Sequence, residues 1–124
     1  MRYMMLIYSR EDEAATPEDL RAVAGAHKAL MDEARHRGIF RAADPLEPSA
    51  TATTVRVQDG KTLVIDGPFA ETKEQLAGYY ILDCQDLDEA LAWAAKIPTA
   101  CAGAAGCIEI RPIREFPQGV RVNA

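Results

Sequence analysis

Residues 2–8, Arg2-Tyr3-Met4-Met5-Leu6-Ile7-Tyr8, are apolar at nearly every position, with no alternation to separate an inner from an outer face. A strand of this kind is stable only when something covers it on both sides. The run stops at Ser9-Arg10-Glu11-Asp12. It is too short for a secretory core plus cleavage site, and far short of the roughly 20 residues that cross a bilayer. The expected location is therefore the cytoplasm, with no membrane partner. Whatever fold the chain adopts, this strand belongs in the middle of it.

The elements that could cover it follow along the chain. Thr16 is an N-cap residue, Pro17 sits at the first helical position, and Asp19 stands where a capping-box acid belongs. The apolar positions Leu20, Val23, Ala24, Leu30, Met31 and Ala34 recur at helical spacing, and Gly38 supplies the stop. Asp44-Pro45 and Glu47-Pro48 then break any long element. Residues 53–57 and 62–65 read as two strands of a hairpin that turns at Asp59-Gly60. Gly78–Cys84 is another strand, rich in aromatic and branched residues. A second helix opens at Asp86, with Glu89 as its capping acid and Leu87, Ala90, Leu91, Ala94 and Ile97 as its buried stripe; Pro98 ends it. Cys107–Arg111 alternates as a half-buried strand.

This order predicts an α+β chain: a ferredoxin-like sandwich with an added β-hairpin and both helices on one sheet face. For 124 residues one core and no second domain are expected. Two helices cover one face of the sheet, so the other is expected to meet a second copy. The predicted unit is a homodimer packed sheet to sheet, a dimeric α/β barrel. Fourteen basic against nineteen acidic residues leave a net charge of −5, which argues against nucleic acid as a partner because that role needs a basic face. Cys84, Cys101 and Cys107 are an odd number with no paired spacing, and two histidines do not complete a zinc site. Cys84 and Cys107 are expected to be buried and Cys101, in a small-residue loop, to be accessible. No phosphate loop, metal cluster or nucleophile elbow is present, and no cofactor is expected.

The stretch Asp66-Gly67-Pro68-Phe69-Ala70-Glu71-Thr72-Lys73-Glu74-Gln75-Leu76, followed by Gly78-Tyr79-Tyr80, resembles the YCII-related family in its DGPF branch. Leu46-x-Pro48, Ala52–Arg56, Asp86–Ala90 and Ile108–Pro112 resemble it as well. The similarity covers about residues 1–114 and leaves 115–124 as a C-terminal tail. It implies a dimeric α+β barrel and no settled activity. Smaller members are proposed to be enzymes because a histidine and an aspartate share a cleft. Members of the branch are often encoded beside alternative sigma factors, which implies a regulatory setting as the other reading.

His27 is the first candidate for chemistry. It lies three residues after Ala24 and three before Leu30, on the apolar stripe of the first helix. A core-facing imidazole is suited to general acid–base work, and the position matches the helix histidine of the smaller relatives. The alternative is a boundary histidine that makes one hydrogen bond. The aspartate those relatives carry before the helix-ending glycine is absent here, where the chain reads Ala34-Arg35-His36-Arg37-Gly38. Asp66, at a strand end beside a Gly-Pro turn, is the substitute expected to orient His27 or bind ligand; its alternative use is to cap its own turn. Arg56 and Arg111 stand mid-strand, where either would bind an anion unless an acid such as Glu109 or Asp83 neutralises it. Glu71, Lys73 and Glu74 read as a solvated face or a short helical turn. Tyr79 and Tyr80 occupy opposite faces of one strand, one for the core and the other for the cleft or dimer interface.

Overall fold

The computed structural model describes residues 1–11, 16–99, 106–117 and 119. Strands β1 (Arg2–Arg10), β2 (Phe40–Pro45), β5 (Glu74–Asp83) and β6 (Gly106–Pro112) form one antiparallel sheet in the order β2-β5-β1-β6. Helix α1 (Pro17–His36) joins β1 to β2, and α2 (Leu87–Ala94) joins β5 to β6. Strands β3 (Thr53–Gln58) and β4 (Lys61–Asp66) form a separate two-stranded sheet inserted between β2 and β5. The chain is thus mixed α+β. Apart from that inserted hairpin, the elements run βαββαβ.

Local chemistry explains the boundaries. Thr16 Oγ1 accepts from the Asp19 backbone N–H while Asp19 accepts from that of Thr16, so the capping box at α1 is complete. At α2, Asp86 accepts from the Glu89 N–H, but the Glu89 carboxylate reaches back to Gln85 rather than to the cap residue. The β3–β4 hairpin turns through Asp59 and Gly60, both at positive φ, the geometry whose twist matches paired strands.

β1 is central, paired with β5 on one side and β6 on the other. Its residues Tyr3, Met5 and Ile7 form the core with Tyr80 and Leu82 of β5, Leu30 and Ala34 of α1, and Ala90, Trp93, Ala94 and Ile97 from α2 onward. Both helices therefore lie on the same face. Met4, Leu6 and Tyr8 alternate to the other face, beside Tyr79 and Ile81 of β5 and Glu109 and Arg111 of β6, and are only partly buried. The cover that the first strand demanded is thus present on one side.

Three readings of the sequence need correction. The buried stripe of α2 is Ala90, Trp93, Ala94 and Ile97, whereas Leu87 and Leu91 are half exposed. Cys107 is exposed because β6 turns Ile108 and Ile110 inward, which sends Cys107 outward with Glu109. Glu74 begins β5 instead of a helical turn, and Glu71 and Lys73 are exposed in the loop before it. The short β2 ends at Asp44-Pro45, as expected of a pair that breaks long elements, and it pairs with β5 as an edge, where proline is tolerated. Cys101 lies outside the described residues.

Candidate functional site

α1 is amphipathic over its whole length, yet only its second half is buried, at Leu30 and Ala34. Toward its N-terminus the apolar stripe loses its cover: Leu20 is more than half exposed, and Val23 is only partly covered. The space beneath is a cavity of about 550 Å³. Its walls come from the α1 stripe, from Ile7 of β1, from Ala43 and Pro45 of β2, from Ala77 and Gly78 of β5, and from Pro98. The volume is that of a small-molecule pocket, and so is the aliphatic character of the wall.

His27 and Tyr80 form a hydrogen-bonded pair in that wall, which also holds the polar Ser9, Arg10, Asp44 and Thr99. His27 Nδ1 lies 2.7 Å from the Tyr80 hydroxyl oxygen, and the two rings are stacked with centroids 5.8 Å apart. The hydrogen bond occupies one ring nitrogen, so Nε2 is the nitrogen left for a ligand. Burial disfavours charge on both groups. It lowers the His27 pKa below the ordinary 6.5 and pushes Tyr80 up to about 12. At neutral pH the pair is a neutral imidazole and a protonated phenol. If Tyr80 donates to Nδ1, Nε2 carries the hydrogen and donates; if Nδ1 donates to Tyr80, Nε2 is a base. Either arrangement presents one donor or one acceptor at Nε2 in the cavity wall.

Asp44 also lines the cavity and accepts a 2.7 Å hydrogen bond from the Tyr79 hydroxyl, which raises the Tyr79 pKa. Tyr80 is thus the core tyrosine and also the one that meets His27 in the cavity wall, whereas Tyr79 lies on the opposite, open face of the sheet, bonded to Asp44. Asp66 is not brought to this cavity. It is exposed in β4, paired in register with Thr53, and absent from the lining that holds His27. Tyr80, not an acid, fixes the histidine. Strand alternation sends one of Tyr79 and Tyr80 to the core without saying which, and it does not connect Tyr80 to His27, which lies 53 residues away.

The remaining candidates are accounted for by their neighbours. Arg111 Nε lies 2.8 Å from the Glu109 carboxylate, the neutralisation that was the alternative to anion binding. Arg56 is exposed in β3 opposite Leu63. Asp83 binds the N-terminal ammonium and Arg41, which hold its pKa down. Burial and the nearby carboxylates push the Cys84 thiol up to about 11, so it is not a thiolate at neutral pH. Among the described residues no group of His, Cys, Asp and Glu is arranged to hold a metal ion, and no helix is long and apolar enough to cross a membrane.

The His27 shift makes a prediction about stability. The unfolded chain takes up its proton near pH 6.5, whereas the folded chain does so only at lower pH. The stability conferred by the neutral buried ring is therefore complete above that value and is lost as pH falls from it toward the lowered folded pKa. Asp19, Asp32 and Asp83 are shifted down from 3.8, so their contributions are lost in a more acidic window. Urea midpoints are expected to fall between about pH 7 and 5 in the wild type, and His27→Gln is expected to flatten that slope. An unchanged slope in the variant would assign the acid sensitivity to other groups.

Comparison with known proteins adds relatives to this geometry. The model of the YCII-related domain matches residues 1–117. An uncharacterised protein of Rhizobium meliloti (strain 1021) is 38% identical over 112 residues, covering 90% of this chain and 84% of that protein.

Proposed function

The chain belongs to the YCII-related family, and from that premise we propose that it binds a small, largely apolar molecule in the cavity beneath α1 and carries out acid–base chemistry on it through His27. The observation that carries this reading is the 2.7 Å contact between His27 Nδ1 and the Tyr80 hydroxyl in the wall of a 550 Å³ cavity. The aliphatic wall lowers the polarity around the pair and so strengthens any hydrogen bond made there. Tyr80 positions the ring and its proton, and His27 Nε2 meets the ligand. Asp44, tied to Tyr79, is the acid nearest this role in the lining. Asp66 has no part in the reading within one subunit.

The fold supports a second element of the proposal. The βαββαβ order with sheet order β2-β5-β1-β6 favours a ferredoxin-like sandwich. The open face around Met4, Leu6 and Ile81 is then the surface on which a second copy packs to close a dimeric barrel.

A library of small uncharged aromatic and alicyclic fragments, screened by saturation-transfer NMR, tests the cavity. Fragments that bind the wild type are expected to shift the His27 ring signals and to bind His27→Ala at least tenfold more weakly, about 1.4 kcal/mol. Tyr80→Phe is expected to keep most of the affinity while moving the His27 titration. Circular dichroism is expected to show both variants folded. A His27→Ala variant that unfolds, or hits that bind it unchanged, would assign the histidine to structure alone.

A further inference from the structure

The stretch from Asp66 to Leu76 contributes nothing to the wall of the His27 cavity. It walls a second depression instead, of about 440 Å³, where Gly67, Glu71, Lys73 and Gln75 stand with Glu11 and Ser49. The two cavities adjoin at one end of the sheet. Ser9 of β1 lines the first and Gln75 of β5 the second, and the two residues are register partners. Ser9 follows Ile7 by two positions and so shares its face, and a register partner shares that face in turn. Opposed residues of an antiparallel pair lie about 5 Å apart. Along β1 the junction is as close, since Arg10 lines the first cavity and Glu11, the next residue, lines the second.

The second cavity is rich in acceptors where the first is aliphatic. Glu11 is fixed in orientation: Oε1 accepts from the Ser49 N–H at 2.8 Å and Oε2 from the Ser49 hydroxyl at 2.6 Å. A carboxylate has about four acceptor positions, so each oxygen keeps one for a ligand. Gln75 Nε2 donates to the Thr72 carbonyl, which leaves Gln75 Oε1 as an acceptor. The side chains of Glu71 and Lys73 make no ion pair or hydrogen bond among the described residues.

We propose that the second cavity binds the head group of the same ligand: an apolar body lies beneath α1, and an uncharged head with neighbouring hydroxyls donates to the two Glu11 oxygens. The inference rests on the cavity beneath α1 being a ligand site and supplies the other half of the molecule. Two oxygens held in one plane suit a pair of adjacent O–H donors, in bonds that the carboxylate charge strengthens. An anionic head would meet two carboxylates against one ammonium. An ammonium head would satisfy the acids but could accept nothing from Lys73, whereas a hydroxyl both donates and accepts. Both volumes lie within the range of small-molecule pockets, and a short ether link spans the distance between Ser9 and Gln75.

Four probes with one body test this: cyclohexylmethanol, its β-glucoside, cyclohexylacetate and cyclohexylmethylamine, each titrated into ¹⁵N-labelled protein by NMR. All four are expected to move the amide signals of Ala43 and Ala77, in the first cavity. Only the glucoside is expected to move those of Ser49 and Gln75, and to bind roughly tenfold tighter than the alcohol. In Glu11→Gln that advantage is expected to fall below about threefold with the affinity for the alcohol unchanged. If the substitution disturbs the Ser49 turn, Glu71→Ala with Lys73→Ala decides, since these exposed side chains hold nothing in place; the advantage is expected to fall about threefold. A glucoside that binds no tighter than the alcohol, an advantage that survives both variants, or an equal gain from a charged head would overturn this inference and leave the first cavity as a ligand site. Probes that all leave Ala43 and Ala77 unmoved would overturn the ligand site beneath α1 and this inference with it.

Discussion

Leu82→Ala is expected to lower the unfolding free energy by about 3 kcal/mol, a large share of what a domain of this size possesses. Leu82 is fully buried in β5. It stands in register between Tyr3 of β1 and Phe40 of β2, on the face that meets Leu30, Ala34 and Trp93. Truncation removes the transfer free energy of the lost methyl groups and leaves a cavity that three elements must collapse together to fill. Sheet pairing on both sides holds the backbone in place, so the site collapses only in part and the cost falls within the range for buried leucine truncation, about 2–5 kcal/mol. Leu87→Ala is the matched comparison: the same atoms are removed from a half-exposed position on α2, and the expected change is under about 0.5 kcal/mol. Urea unfolding of both variants checks the pair. Equal losses would mean that the Leu87 side of α2 is covered after all.

That pair of leucines also shows what can be read from the chain and what cannot. Residues 87, 90, 91 and 94 and residues 90, 93, 94 and 97 both satisfy helical spacing, because α2 has two turns and a broad apolar surface. Nothing within eight residues decides between the stripes. Packing against β6 and the core does, by turning Trp93 inward. α1 was legible at its ends, where Thr16, Pro17 and Asp19 act through bonds local to the chain. Its interior was legible as a stripe, but the stripe does not say which part will be covered. Leu20 and Val23 have the pattern of core residues and instead line a cavity. β1 read correctly as central, because an apolar run on both faces has few other solutions.

The site followed the same division. His27 could be placed on the inner side of α1 from spacing alone. Its partner could not be found that way, since α1 and β5 meet only in the folded chain and strand alternation does not say which tyrosine of the Tyr79-Tyr80 pair faces the helix. Asp66 was drawn in by the distinctive turn it begins. The physical content of that turn is local: Gly67 donates its N–H to Ala52, and the Gly67 carbonyl accepts from Thr54, which closes the base of the β3–β4 hairpin. A recognisable motif can mark where an element is anchored as readily as where chemistry occurs.

Gly106→Ala is expected to be about as damaging as the core truncation, by the opposite mechanism. A Cβ there would lie 2.5 Å from the Tyr8 carbonyl oxygen, 2.7 Å from that of Thr99 and 3.0 Å from the Thr99 Cβ. The two nearest atoms belong to backbone, so no rotamer change relieves the clash. Either β6 moves off the end of β1 or the Thr99 segment moves outward. Overpacking of this kind costs about 1–3 kcal/mol where side chains can yield, and backbone neighbours place this position at the top of that range. The displacement has a second consequence. Thr99 lines the cavity that His27 faces, so fragments that bind the wild type are expected to lose affinity for the variant although no wall side chain has been exchanged. Gly25→Ala provides the contrast. It sits in the interior of α1 with nothing within 4 Å of the added carbon, and the better helix former is expected to raise stability by about 0.5–1 kcal/mol. Thermal melts of the two variants should therefore move in opposite directions. A Gly106→Ala protein that melts with the wild type would show that the junction of β6, β1 and Thr99 yields freely, and the cavity wall would then have to be regarded as adaptable on that side.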